Sequence, residues 1–381
     1  MNTIQAYLEK FGGNFLVAAF VPSLAFVSAS ILLVGPVVPP DVLTRIQFLL
    51  GPLGEKNIGW AIFLIAVIIG FTLTSLNTYI YKLFEGYILI KQLSFLRSFE
   101  IKRARQFRGK RDVINQKIRQ LEQRVIAWDM AKMPQRSEKE KRLIQTRIQN
   151  LIAERDTISV EYDQMYPPYE NLILPTRFGN ILRASETYPR IRWGIDAVTM
   201  WPRLIYAVSI APKGDEYLTK VDISNDQCSF LLNSSLLSGL FSGLALLAAI
   251  YQALLLYLKS RGIDELLYFV PINSAIHIYQ QRILIYAVMS LLALGVFWFF
   301  YTASLYNVSQ YGNLIRSTYD LFHLNLLKTL RLDDLAPDAL PENTGEEKEI
   351  WKRVCEFIAI GEVNGNFIFD YEKPNSQKTA P

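Results

Sequence analysis

Four long stretches without a charged side chain constrain this chain more than any other feature. They contain no Asp, Glu, Lys, Arg or His and cover residues 15–34, 58–81, 229–258 and 283–308. A helix of about 20 apolar residues crosses a hydrocarbon layer of about 30 Å. Inside that layer only a helix satisfies its own backbone hydrogen bonds within one segment. We therefore predict a mainly α protein with four transmembrane helices.

The charged residues are concentrated between the second and third stretches. Residues 82–228 hold 26 Lys and Arg against 18 Asp and Glu, whereas the rest of the chain holds 14 against 17. Because cytoplasmic loops carry the excess of Lys and Arg, we place this segment and both termini in the cytoplasm. With only Cys228 and Cys355, far apart, the composition excludes a disulfide framework and a cysteine-based zinc site.

The densest basic cluster directly follows the second predicted span. A juxtamembrane cluster of this kind attracts anionic lipid by about 1 kcal/mol per residue, although enforcing topology is an equally good explanation. Nucleic acid is a less favoured partner, because the cluster contains no binding motif and no pattern of stacking aromatic residues. The candidate lipid contacts in this cluster are Lys102, Arg103, Arg105, Arg108, Lys110 and Arg111.

Helical periodicity follows the basic cluster. Apolar residues recur at steps of three and four, first at Ile114, Ile118, Leu121, Val125 and Trp128 and again at Ile144, Ile148, Leu151 and Ile158, where Arg155 takes the missing position of the second run. Met133 and Pro134 lie between the two runs. This spacing is that of a coiled-coil seam. We predict a cytoplasmic helical hairpin at 82–165 whose seams bury each other or a neighbouring subunit.

A segment rich in proline and aromatic residues connects the hairpin to the third span. It covers 166–228, and short helices are predicted at 180–187 and 195–201. Arg190, Arg192 and Arg203 lie beside Trp and Tyr residues, which suits packing at the level of lipid headgroups. The alternative, slightly favoured, is an ordinary connector whose Trp residues fill a small core. After the fourth span, an acidic tail at 309–381 is predicted to be helical at 314–332 and 346–360.

Two small-residue or polar stripes mark the predicted spans. On the second span, Gly70, Thr74, Asn77, Thr78 and Tyr81 share one face, which either packs against another helix or lines a water-filled pore. On the third span, the packing face is formed by Ser235, Gly239, Ser242 and Gly243. The G-x-x-x-G spacing lets two helix backbones approach closely, within one chain or between copies.

Motifs for catalysis are missing from the sequence. His277 and His323 are predicted on opposite sides of the membrane, in structural roles, and phosphate-binding and nucleophile-elbow motifs do not occur. The predicted spans also lack the ionisable residues that coupled carriers use. We therefore expect no catalytic residue, no metal and no cofactor, while a site built from dispersed carboxylates stays an open alternative.

Two stretches resemble an uncharacterised group of bacterial integral membrane proteins. They read TRFGNILRASETYPRIRWGIDAVTMWPRL and YGNLIRSTYDLFHLNLLKTLRLDDLAPDALPENTGEEKEIWKRVCEFI. The resemblance implies a bacterial inner-membrane protein and brings no known activity, cofactor or catalytic residue with it.

The sequence thus predicts a multi-pass inner-membrane protein of five segments. A first transmembrane pair at 1–81 precedes the hairpin and the connector, and a second pair at 229–308 precedes the tail. We expect a non-enzymatic homo-oligomer whose hairpin and tail serve signalling, scaffolding or an effector role, with anionic lipid and a cytoplasmic protein as partners. The alternative is an oligomeric ion channel or pore lined by the stripe of the second span.

Overall fold

The described part of the computed structural model is helical. It comprises residues 15–34, 58–88, 94–130, 136–261, 276–330 and 344–360, and no strand occurs within these ranges. The prediction of a mainly α protein is therefore confirmed. The described ranges contain ten α-helices, a π-helical turn at Leu16–Phe20 and a short 3₁₀ helix at Glu170–Leu172. These are α1 (Val21–Val34), α2 (Ile58–Ser75), α3 (Asn77–Glu85), α4 (Ser94–Met130), α5 (Arg136–Met165), α6 (Arg177–Trp193), α7 (Ala197–Ser209), α8 (Gly214–Ser260), α9 (Ile276–Thr329) and α10 (Thr344–Ile360).

The predicted spans correspond to elements of three kinds. Within the described ranges, α8 and α9 are each long and apolar enough to cross a membrane. The pair α2 and α3 passes the same test only as one unit, because the chain bends by 62° between the two helices. The segment Leu16–Ile31 is apolar but shorter. By length and composition, the described residues thus contain two helices that could cross a membrane, or three if the bent pair is counted as one span.

Local side-chain chemistry explains where several helices begin and end. The Thr176 hydroxyl accepts a hydrogen bond from the Gly179 amide at 3.0 Å, and the Asp196 carboxylate accepts one from the Thr199 amide at 2.9 Å. Both contacts satisfy an amide in the first turn of a helix that has no partner within that helix. Helix α3 ends at Gly86, whose φ of +89° is the left-handed conformation that favours glycine.

The two predicted hairpin arms pack against each other as α4 and α5. Ile114, Ile118 and Ile148 are buried in one cluster with the other seam residues that the structure describes. Nearer the start of α4, Ala104 packs against Tyr162 and Tyr166 of the α5 end. The contacts therefore run in opposite order along the two helices. The Trp128 side chain, Met133 and Pro134 lie outside the described residues.

The chain divides into two compact units. The described residues within 15–183 and 220–312 form the first, and those within 184–219 and 313–360 form the second. The predicted connector at 166–228 is shared between both units. Its two short helices are longer than predicted, and Pro189 and Pro202 lie inside α6 and α7. The predicted ends at 187 and 201 were therefore too early, because an internal proline can remove one backbone hydrogen bond without stopping the helix. The predicted tail helices are the end of α9 and α10.

Candidate functional site

The polar stripe of the second span is divided by the bend at Leu76. On the α2 side, a Cβ atom added to Gly70 would lie 3.1 Å from the Phe15 ring and 3.4 Å from the Cα of Phe20. The absence of a side chain at Gly70 therefore leaves room for close packing of these two residues. Thr74 donates to the Gly70 carbonyl at 3.0 Å, and Thr78 is exposed. These residues therefore do not form one continuous lining along a straight helix.

Beyond the bend, α3 bonds to α8 through polar side chains. The Tyr81 hydroxyl lies 3.1 Å from Asn225 Oδ1 and 3.4 Å from Ser229 Oγ. One turn earlier, Asn77 Oδ1 is buried and has no hydrogen-bond partner among the described residues. A buried acceptor without a donor costs about 1–3 kcal/mol. Asn77 is therefore the one member of the stripe whose polar atom is left unsatisfied.

Pro22 creates a second polar contact between helices. As a proline it has no amide hydrogen to donate to the Ala18 carbonyl one turn earlier. That carbonyl instead accepts a hydrogen bond at 2.8 Å from Nδ2 of Asn233, which is 2% exposed on α8. The Ser23 hydroxyl donates to the neighbouring Ala19 carbonyl at 2.7 Å. Asn233 therefore satisfies the carbonyl that Pro22 leaves without an amide donor, a contact that the sequence did not point to.

The small-residue face of α8 packs on α9 within the same chain. Ser242 donates to the Ser290 carbonyl at 2.9 Å, and Ser290 donates back to the Ser242 carbonyl at 3.0 Å. Ser235 donates to the Phe297 carbonyl at 3.2 Å. A side chain on Gly239 would lie 3.1 Å from the Phe297 ring, whereas Gly243 has no atom within 4 Å of such a position. The two glycines of the motif therefore have different surroundings.

Two arginines of the basic cluster hold the segment that follows α5. Arg108 donates to the Tyr162 hydroxyl and the Pro168 carbonyl, both at 2.8 Å. Arg105 forms a bidentate ion pair with Glu170 at 2.8 and 3.1 Å. The hydrogen bond from Arg105 holds the pKa of the Glu170 carboxyl below its ordinary value. These guanidinium groups therefore have partners in their own chain, which reduces their availability to lipid.

The remaining candidate lipid contacts vary in exposure. Lys102 and Lys110 are exposed, and Arg103 and Arg111 are partly exposed. In the second unit Arg190, Arg192 and Arg203 are all exposed. Arg192 lies 5.4 Å from the centre of the Trp193 ring, and Arg203 donates to the Thr199 carbonyl of its own helix. Charge on these side chains stays accessible.

In the second unit, the buried His323 contacts side chains from two other helices. The sequence predicted only a structural role for this histidine. The rings of His323 and Trp193 stack with their centres 4.1 Å apart. His323 Nε2 lies 3.5 Å from Oε1 of Glu347 on α10, and Trp351 donates to the same oxygen at 3.3 Å. These residues come from three helices that are distant in sequence, so helical periodicity could not reveal their contacts.

Helix α10 approaches the rest of this unit closely. Gly194, which has a φ of +80°, lies so near the Lys348 carbonyl that a side chain there would overlap it. Cys355 is buried, and its sulfur accepts a hydrogen bond from the Asp196 amide at 3.3 Å. Burial raises the pKa of the Cys355 thiol, and it also raises the pKa of the Tyr319 hydroxyl, which donates to the Ala197 carbonyl. Docking of α10 therefore shields the thiol from reagents.

Comparisons with known proteins add no assignment to these sites. No protein-family model, no curated protein and no solved structure matches this chain. Within the described ranges, no group of three or more His, Cys, Asp or Glu residues is placed to hold a metal ion.

Proposed function

We propose that this chain is a non-enzymatic, multi-pass protein of the bacterial inner membrane, with four membrane-crossing segments and a signalling, scaffolding or effector role. The observation that carries the proposal is the exposure of large apolar side chains along α8 and α9. Leu247, Leu291 and Phe299 are 63%, 68% and 66% exposed. A contiguous apolar surface of this kind is unstable in water and suits hydrocarbon.

Contacts to α8 support membrane placement of the two remaining segments. The first bonds to α8 through Asn233, and the bent pair bonds to it through Tyr81. Side-chain hydrogen bonds between helices are a normal means of association inside a bilayer. On this proposal the π-helical turn with α1 forms one crossing, and α2 with α3 forms another.

The basic surplus of 82–228 supports a cytoplasmic location for α4 and α5 and, with it, for both termini. Exposed cations such as Lys102 and Lys110 would then lie near anionic lipid headgroups. The exposed faces of the helical pair are available to a cytoplasmic protein partner. Nucleic acid is not proposed as a partner.

Cysteine labelling in intact cells tests this topology. Gly109 is exposed on α4 with no atom within 4 Å of a new side chain, and Arg261 is exposed at the opposite end of α8 from the hairpin segment. In a chain with Cys228 and Cys355 changed to Ser, an impermeant thiol reagent should label Arg261→Cys in intact cells. Gly109→Cys should react only after the membrane is opened. Labelling of Gly109→Cys in intact cells would overturn the cytoplasmic assignment.

A second candidate function, an oligomeric ion channel or pore, is favoured by Asn77 of the predicted stripe. Its buried Oδ1 lacks a donor among the described residues, and water or a cation in a conduit would satisfy it. Recording from purified protein in planar bilayers tests this idea, with Asn77→Leu and Thr74→Val as probes. Thr302→Val is the control, because Thr302 is exposed and, like Thr74, bonds only to its own helix.

The pore hypothesis predicts a measurable conductance that Asn77→Leu and Thr74→Val both alter and that the control variant Thr302→Val leaves unchanged. Bilayers that stay silent with correctly folded protein would exclude a pore and leave the signalling or scaffolding role.

A further inference from the structure

The surroundings of His323 contain more hydrogen-bond acceptors than a neutral imidazole can satisfy. Nδ1 lies 2.9 Å from the Tyr319 carbonyl oxygen and 3.2 Å from the Asp320 carbonyl oxygen. Nε2 lies 3.5 Å from Oε1 of Glu347. Both ring nitrogens therefore face acceptors, but a neutral imidazole carries only one N–H. One nitrogen of a neutral ring would point its lone pair at an oxygen.

Burial makes that mismatch costly. The side chains of His323 and Glu347 are 10% and 9% exposed, so water has little access to either. Trp351 already donates a hydrogen bond to Oε1 of Glu347. The stacked Trp193 ring presents its negative face to the imidazole and favours a positive charge there. The arrangement is therefore complementary to an imidazolium–carboxylate pair.

We propose that His323 and Glu347 form a proton-binding site that latches α10 onto the second unit. With the proton bound, the pair is a buried ion pair linking α9 and α10. When the proton leaves, the lone pair of the imidazole faces an ionised carboxylate without solvent, and docking of α10 weakens. This latch is independent of the membrane topology and of the signalling or channel role proposed above.

Four other charged groups on these elements have contacts that the structure describes. On α9, Asp320 accepts hydrogen bonds from Trp193 and Tyr188 of α6, and Arg316 lies over the Tyr188 ring. Arg192 of α6 lies over the Trp193 ring, and on the α7 side the Asp196 carboxylate caps its own helix. Arginine does not lose its charge in this range. Histidine is the side chain that ordinarily changes charge between about pH 5 and 8.

Cys355 supplies a native reporter of the latch, because its thiol is buried while α10 is docked. The full-length protein in detergent is treated with a thiol reagent between pH 6 and 8.5, and labelling at Cys355 is quantified by mass spectrometry. Dividing each rate by that of the denatured chain at the same pH removes the ordinary ionisation of the thiol. We expect this ratio, which reports opening of α10, to rise severalfold with increasing pH.

Glu347→Gln tests the pair itself. The amide can donate to the lone pair of a neutral imidazole, so α10 should stay docked and the ratio should become independent of pH. Glu349→Gln is the matched control, because Glu349 is exposed on the same helix and its loss should preserve the rise. A flat ratio in the unmodified protein, or an unchanged rise in Glu347→Gln, would overturn the proposal.

A second measurement does not depend on a variant of the pair. The chain has two histidines, so His277→Gln leaves His323 as the only imidazole seen by histidine-selective NMR. We expect its signal to change from the charged to the neutral form over the same pH interval in which Cys355 becomes reactive. A change in the signal while Cys355 stays protected would contradict a latch.

Discussion

Single residues differ sharply in how much space the fold leaves around them. Gly179, the third residue of α6, lies so close to the Glu85 carbonyl that an added side chain would overlap backbone atoms. Gly109, in the middle of α4, has no atom within 4 Å of the same position. Both glycines are helical, so their sequence context is similar. Only the first is required by a close approach of two chain segments.

Alanine at these two positions should have opposite effects. We expect Gly179→Ala to lower the free energy of unfolding by about 1–3 kcal/mol, because the backbone must shift to admit the methyl group. Gly109→Ala should raise stability by about 0.5–1 kcal/mol, since alanine loses less conformational entropy in a helix. Thermal unfolding of the purified protein in detergent measures both. Equal melting temperatures for the two variants would contradict the close approach at Gly179.

At the scale of elements, a few polar or small residues that lie opposite each other determine how α8 and α9 pack. Ser242 and Ser290 exchange hydrogen bonds, and Gly239 lies against Phe297 one turn away. Gly243 is exposed and free of close neighbours. The G-x-x-x-G spacing therefore serves an intrachain contact through one glycine, and the other remains available for contact with a second copy.

Leucine substitution separates these two roles. Gly239→Leu should separate α8 from α9 and lower the free energy of unfolding by about 1–3 kcal/mol. Gly243→Leu should leave thermal stability unchanged and, if copies associate through this face, should reduce the oligomeric fraction in detergent. Melting curves and light scattering measure the two effects. If Gly243→Leu were the more destabilising variant, the intrachain packing described for Gly239 would be wrong.

At the scale of the whole molecule, the main feature is the exposed apolar surface of α8 and α9. The most apolar 18-residue windows of these helices are only 28% and 17% buried within the structure. Such surface is stabilised by transfer to hydrocarbon at about 25 cal/mol per Å². The two helices already contact each other through the buried Ser242 and Ser290. Their exposed apolar faces lie outside this contact.

Membrane fractionation tests this property directly. After an alkaline carbonate wash, which removes peripheral proteins, the intact chain should remain in the membrane pellet and be released only by detergent. The physical reason is the exposed apolar surface rather than the basic cluster, so a wash with 1 M salt should also leave it bound. Recovery of the full-length chain in the aqueous wash would exclude a membrane-spanning role for α8 and α9.

Local pattern determined much of this fold. The helical class, the apolar stretches within α8 and α9 and the seam residues of α4 and α5 could be predicted, because composition and a period of 3.6 residues act over neighbouring positions. The 62° bend at Leu76 and the continuation of α6 through Pro189 could not, since packing outweighs local preference at such points. The stripe residues lie in α2 and α3, and their partners could not be predicted from the sequence.

Only the tertiary structure decided which polar atoms meet. The pairs Tyr81 with Asn225, Asn233 with Ala18, and His323 with Glu347 join residues that are far apart in the chain. No periodicity links such partners, because their contact depends on how whole helices pack. The same limit explains why a lone histidine looked unremarkable in the sequence, although in the fold both of its nitrogens face buried acceptors.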